Sequence, residues 1–214
     1  KFDGKSANGV YGDVIEEIDW SVGEIVKTLQ AEKLTKKTIV VFTSDNGPWT
    51  MFKEFGGVSG PLRGEKSTTW EGGDRVPCIV SWPGKIAPAV SGQLMVNYDM
   101  YATFARLAGA TVAKGQAIDS IDFSDHWLAG KMGRRPRHVH YFHQPTAYRS
   151  GNYKLHRYTR SRTRNPDTGA REPSVFHKGG LLFDLANDVG EQSNIAAKHP
   201  ELVARLKKEF EEAQ

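Results

Sequence analysis

Asp45, Asn46 and Gly47 follow Thr38-Ile39-Val40-Val41-Phe42-Thr43, a continuous β-branched and apolar run. Asp offers an anionic oxygen and Asn a neutral carbonyl oxygen. Gly47 permits a backbone turn that lets the two side chains converge. Hard cations such as Ca²⁺ or Mg²⁺ take oxygen sets of this kind. The same residue types also make ordinary turns at strand ends, so the tripeptide alone supports both readings. Lys66 lies in a second stretch with chemical potential, Leu62-Arg63-Gly64-Glu65-Lys66-Ser67-Thr68-Thr69-Trp70-Glu71-Gly72-Gly73-Asp74-Arg75-Val76-Pro77. A lysine in a Gly-flanked loop is a point charge suited to a tetrahedral anion. Taken alone it is equally a surface lysine. The G-x-x-x-x-G-K-[ST] spacing is absent, so this is not a nucleotide-binding P-loop. Glu71 and Arg75 are placed to form an ion pair that fixes the loop.

Other residues invite weaker readings. His138, His140 and His143 alternate along one predicted strand and could face one side, where a zinc site is conceivable. The plainer reading is surface or pocket-lining residues, with His143, before Gln144-Pro145, at a pocket rim. His126 belongs with Trp127 and Leu128 in a short packed helix. The single Cys78 has no partner for an internal disulfide and reads as a buried strand residue. The net charge is +4. The excess gathers in residues 131–164: Lys131, Arg134, Arg135, Arg137, Arg149, Lys154, Arg157, Arg160, Arg162 and Arg164, with four of the seven histidines. Such a block either attracts an anionic partner or forms a solvated face.

These residues need elements to hold them. Helical spacing of Val14, Ile15, Ile18, Val22, Ile25, Val26 and Leu29 predicts a helix over about 13–30, with Asp13 and Glu16 resembling a capping box. One face of it should pack on a sheet. The run 38–43 predicts a strand covered on both faces, as in a parallel sheet, with Asp45 at its carboxyl end, where open α/β sheets place ligand sites. Residues 49–74 have no clean period and many glycines, which predicts a long ordered loop of functional type. A second buried strand is expected over 76–82. A helix is expected over 97–108, capped by Asn97 and stopped by Gly109. After Gly130 the pattern changes: strands over 138–143 and 153–158 with a turn at 150–153, a short strand over 181–185, and a helix from Pro200 to about 213. The fold class is therefore α/β: a mostly parallel sheet flanked by helices, which the resemblance given below implies is the C-terminal part of a larger one, followed by a small antiparallel sheet with a closing C-terminal helix. Residues 1–134 and 135–214 form the two expected divisions.

Thr43-Ser44-Asp45-Asn46-Gly47-Pro48, Gly64-Glu65-Lys66, Glu71 to Pro77 and Ser81-Trp82-Pro83-Gly84 together resemble the second half of the sulfatase signature. The likeness is of arylsulfatase A type, within the alkaline-phosphatase-like superfamily. It continues through Asn97-Tyr98-Asp99, Ile121-Asp122-Phe123-Ser124, Tyr148 to Leu155, Leu182-Phe183-Asp184-Leu185 and Gly190-Glu191. The resemblance implies that Asp45 and Asn46 are ligands of a Ca²⁺ ion and that Lys66 contacts the sulfate group. It implies a formylglycine nucleophile from a Cys/Ser-x-Pro-x-Arg motif, which is nowhere in this sequence; Cys78, before Ile79-Val80, is not that residue. The first acidic metal ligands and a leaving-group histidine are likewise implied to lie upstream. The chain therefore looks like the C-terminal half of a sulfatase, inactive by itself and partnered by its missing N-terminal half. Asn beside Asp favours sulfatases over related zinc phosphatases, which have Asp-His at the comparable place.

The implied substrate is a sulfated small molecule or sulfated sugar. Phosphate or phosphonate ester hydrolysis by the same superfamily is the alternative, and a non-catalytic anion-binding fragment is a third. Neither nucleic acid nor membrane is expected as a partner, and no run is apolar enough to span a bilayer. A start at Lys1, without Met or a leader pattern, is expected to lie inside a longer protein. The resemblance implies export to a periplasmic, secreted or lysosomal location.

Overall fold

The computed structural model describes residues 1–116, 119–133, 135–160 and 173–214. Arg134, Arg162 and Arg164 of the basic block lie outside the described residues. The elements in chain order are α1 (Gly9–Ala31), β1 (Val40–Thr43), α2 (Glu71–Asp74), β2 (Cys78–Ser81), α3 (Asp99–Leu107) and α4 (Ser124–Ala129). They are followed by β3 (Arg137–Phe142), β4 (Gln144–Ser150), β5 (Tyr153–Thr159), β6 (Val175–Asp184) and α5 (Pro200–Glu212). The α/β class, the small antiparallel sheet and the closing helix are as the sequence predicts. Contacts group the chain into two units: Lys1–Thr28, Thr43–Cys78 and His138–Gln214 in one, Leu29–Phe42 and Ile79–Arg137 in the other.

In the first unit, β3, β4, β5 and β6 form a four-stranded sheet in that order. β5 runs antiparallel to both neighbours, pairing Leu155 with Tyr148 on one side and with Leu182 on the other. Residues of one parity along β5 share a face. Leu155 and Leu182 join Tyr148, Val203, Leu206 and Phe210 in a core formed with α5. Lys154 and His156 point the other way and are fully buried too. β5 thus carries one apolar and one polar buried face. Pro200 opens α5, where a missing N–H costs nothing.

Asp13 does not cap α1, which begins four residues before it, at Gly9. Its carboxylate instead accepts backbone N–H bonds from Gly4, Lys5 and Ser6 at 2.8, 3.0 and 2.7 Å. The bond from Ser6, with the other two, holds its pKa below the ordinary value. A capping-box pattern records spacing, and the same carboxylate serves a loop folded back over the helix equally well. The apolar stripe of α1 stays open among the described residues, with Ile15 47% and Ile25 56% exposed. Periodicity tells which face is apolar; it does not tell what covers it.

β1 pairs with β2. Thr43 Oγ1 donates to Pro77 O at 3.0 Å, and Trp82 Nε1 donates to Lys36 O at 2.9 Å. The end of β1 thus meets the start of β2, and the reverse, so this pair is antiparallel. One such pair is compatible with a mostly parallel sheet. Neither strand is covered on both faces here: Phe42 is 40% and Ile79 62% exposed. Cys78, expected to be buried, is exposed. An apolar run reports capacity for burial, while actual cover depends on distant elements.

In the second unit α3 starts at Asp99, whose carboxylate accepts from Val96 and Ile121 N–H at 3.0 and 2.8 Å and from Arg135 Nε at 2.9 Å. Asp99, rather than Asn97, organises this helix start. Gly109, at φ 73°, ends it as expected, with Ala110 N–H bonded to Ala105 O. His126 lies in the short helix α4, its Nε2 2.7 Å from Ser91 Oγ.

Candidate active site

Asp45 and Asn46 occupy the bend directly after β1. Their side chains converge, with Asn46 Nδ2 2.5 Å from Asp45 Oδ1. A cation held by both requires the Asn46 amide turned so that its oxygen, not its nitrogen, faces inward. Amide orientation follows the hydrogen-bond partner, so that turn is a modest change. With the amide so turned, the two side chains would present two of the six to eight oxygens of a Ca²⁺ shell. Among the described residues no group of three His, Cys, Asp or Glu gathers to complete it. The pair therefore offers only part of the donor set that a cation would need.

The turn is bonded to the Lys66 loop at two points. Gly47 N–H donates to Gly73 O at 2.8 Å, and Lys66 N–H donates to Pro48 O at 2.9 Å. Glu65, beside Lys66, accepts from Thr50 N–H at 3.0 Å and from the Thr50 hydroxyl. The Lys66 ammonium lies 5.1 Å from the Trp49 ring centre, over the segment that continues the turn. This approach leaves no room for side chains. A Cβ on Gly47 would come within 1.8 Å of Gly72 O, and one on Gly73 within 2.2 Å of Thr68 O. Gly47→Ala is therefore expected to destabilise the protein by about 2–3 kcal/mol. Urea unfolding checks this, and an unchanged midpoint would show that the two backbones can separate freely.

Behind the loop lies a buried polar cluster that sequence reading missed. Glu71, 2% exposed, accepts from Lys154 Nζ at 2.8 Å, and Lys154 is 0% exposed. Glu191 Oε2 accepts from Glu71 N–H at 2.6 Å, and Glu191 Oε1 meets His156 Nε2 at 2.6 Å. Arg63 donates to Glu191 O at 2.8 Å while its guanidinium covers the Trp70 ring at 3.9 Å. Trp70 in turn lies against His156, ring centres 4.3 Å apart. Burial opposes ionisation of Glu71, but the Lys154 ammonium outweighs it and holds the carboxyl below its ordinary value. Glu71 therefore pairs with Lys154 and, at 3.4 Å, Arg149, not with Arg75. A nearby opposite charge in sequence loses to a buried one in space, because burial removes competing water. Lys154 also leaves the solvated basic face, as does Arg135, bound to Asp99.

The histidines separate. His140, 5% exposed, bonds Asp74 through Nδ1 at 2.6 Å, with the His138 ring 4.7 Å away. β3 ends at Phe142, so His143 lies off the strand, exposed in the corner before β4 at φ 60°, its ring against Phe142. The three do not form one strand face. The bonds that tie the Asp45 turn to the Lys66 loop do not involve His143.

Burial pushes the pKa of both His140 and His156 down from 6.5, so folding favours the neutral form of both rings. Unfolded, they take up protons near 6.5. Stability is thus full above about pH 6.5 and falls with acid as the unfolded chain binds the extra protons. Burial raises Asp74 to about 6, which contributes in the opposite sense between 3.8 and about 6. Its side chain is 39% exposed, however, so solvent screens part of that shift and the two buried rings dominate. The urea midpoint is expected to drop between pH 7.5 and 5.5. A flat profile would show that the rings titrate as in water.

The chain is similar to known proteins in sequence and fold. The family model described as Sulfatase matches residues 3–110, and the model described as C-terminal region of aryl-sulfatase matches residues 134–214. The chain is 39% identical to arylsulfatase A of Bos taurus over 207 residues, which cover 91% of this chain and 40% of that protein. It is 32% identical to the N-acetylgalactosamine-6-O-sulfatase of Bacteroides thetaiotaomicron, covering 96% of this chain and 42% of that one. Among solved structures, the PsFucS1 sulfatase from Pseudoalteromonas sp. superposes with a TM-score of 0.83 at 30% identity, over 94% of this chain and 41% of that one. The chain spans about two fifths of the length of these relatives.

Proposed function

We propose, from the premise that this chain belongs to the sulfatase family, that it is the C-terminal part of a sulfuric ester hydrolase and carries half of the active site. One observation carries the reading: the converging Asp45 and Asn46 side chains share a turn whose backbone is bonded to the loop of Lys66. In this reading Asp45 and Asn46 would hold Ca²⁺ through side-chain oxygens, which would supply positive charge close to the sulfate group. Lys66 holds a sulfate oxygen as charge shifts during S–O cleavage, a preorganised electrostatic effect. His143 stands at the substrate rim. The nucleophile is a formylglycine in a segment upstream, with which the exposed faces of α1 and β1 pack. This chain alone is inactive, and the complete enzyme is exported.

The substrate is a sulfated small molecule or sugar. Residues 1–134 belong to the catalytic domain and 135–214 to the C-terminal subdomain; the gap between the two family matches supports that division. No described helix is long and apolar enough to cross a membrane. In a complete polypeptide containing this chain, Lys66→Ala is expected to lower kcat/KM on an aryl sulfate by about 100-fold. Undiminished turnover would remove Lys66 from the mechanism. Faster cleavage of the phosphate ester of the same leaving group would move the enzyme to the phosphatase branch.

A further inference from the structure

Glu71, Lys154 and Glu191 form a fully buried charge cluster that the proposed chemistry does not use. Burying such charges is not the most stabilising option, since apolar residues of similar volume often hold a fold as well or better. Directional hydrogen bonds do what apolar contacts do not: they set the position of the backbone that carries the charge. Here that backbone leads directly to the site. Lys154 and Glu191 come from β5 and the segment after β6, elements that carry no proposed catalytic group. Lys154 grips the Glu71 carboxylate at 2.8 Å, and Glu191 grips the Glu71 N–H at 2.6 Å. Arg63, at the other end of the loop, donates to the Glu191 carbonyl at 2.8 Å. Both ends of the Lys66 loop are therefore anchored on Glu191. Gly72 N–H closes the loop on Arg63 O at 2.6 Å, and Gly73 O receives Gly47 N–H at 2.8 Å.

We propose that Lys154 and Glu191 are positioning residues: through Glu71 and Arg63 they set the place of the Lys66 ammonium relative to the Asp45–Asn46 turn. This rests on the sulfatase reading of Lys66. A charged group displaced by a fraction of the sulfur–oxygen bond length loses its hold on the transition state before the fold suffers.

The test is a cycle in a complete polypeptide containing this chain. Glu71→Leu with Lys154→Met removes the ion pair and leaves both Glu191 oxygens bonded, to His156 and to the residue-71 N–H. With Lys66 present, the pair of changes is expected to lower kcat on an aryl sulfate by between about 10- and 100-fold. In the Lys66→Ala background the same changes should alter kcat by less than about twofold, because they act through the missing lysine. A merely structural role would lower kcat equally in both backgrounds; that result, or no loss in either, overturns the proposal. Should the double change fail to fold, Glu191→Gln is read by the same cycle. If Lys66→Ala alone keeps full turnover, the sulfatase site itself is wrong; if only the cycle fails, the site stands and the positioning role falls.

Discussion

Glu71→Ala is expected to lower stability by roughly 3–5 kcal/mol. The variant leaves Lys154, 0% exposed, with an ammonium in a site that water does not reach. Among the described residues Glu191, its Oε1 at 3.6 Å, is then the remaining ion-pair partner, and that oxygen already meets His156 Nε2 at 2.6 Å. The lysine must lose its proton or drag water in, and either outcome costs folding free energy. Replacing both partners by apolar residues, Glu71→Leu with Lys154→Met, should cost less, because the buried ammonium goes with its partner, while Arg149 and Glu191 each lose one neighbour, at 3.4 and 3.6 Å. Urea unfolding of the single and double variants decides this. A single variant no weaker than the double one would mean that Lys154 finds solvent or another carboxylate.

Phe210→Ala is expected to cost about 3–5 kcal/mol through loss of apolar burial and the cavity it leaves. Phe210 is 0% exposed, stacks on Tyr148 with ring centres 5.6 Å apart, and lies under the Arg157 guanidinium at 4.7 Å. Three elements meet at this ring: α5 contributes Phe210, β4 contributes Tyr148 and β5 contributes Arg157. Unlike Glu71→Ala, this change leaves no charge unpaired, so its cost should not vary with pH between 5.5 and 7.5. Phe210→Leu should recover much of the loss, since most of the volume is kept. Thermal or urea unfolding gives the ranking directly. A loss under about 1 kcal/mol would show that α5 can collapse into the gap.

The two changes probe opposite faces of β5. One removes an apolar contact whose strength follows area; the other strips a partner from a charge whose cost follows the local dielectric. Residues 153–156 show why both are needed. Tyr153 and Leu155 face α5, while Lys154 and His156 face Trp70 and Phe183. A two-residue alternation with polar residues on one side normally means solvent on that side. Here the Lys66 loop covers it, and the charges are satisfied within.

Much of this protein could be read from its sequence, and the reason is local. The Asp45-Asn46-Gly47 turn, the end of α3 at Gly109 and the start of α5 at Pro200 depend on residues within a few positions of one another. Their order along the chain, with the Lys66 stretch, was enough to suggest the sulfatase family, and the family matches agree. What the tertiary structure alone decided depends on partners far apart in sequence. Lys154 was one more cation in a basic run until Glu71, 83 positions away, was seen against it. Asp13 passed for a helix cap until a loop folded over it, and Cys78 for a core residue until its strand proved open. His140 acquired a carboxylate partner 66 positions upstream. Lys66 itself was legible as a charge in a Gly-flanked loop. Its placement, and the buried ion pairs that we propose maintain it, arise where loop, turn and sheet meet, because a charge takes its meaning from the water and partners around it, and spacing in sequence does not encode either.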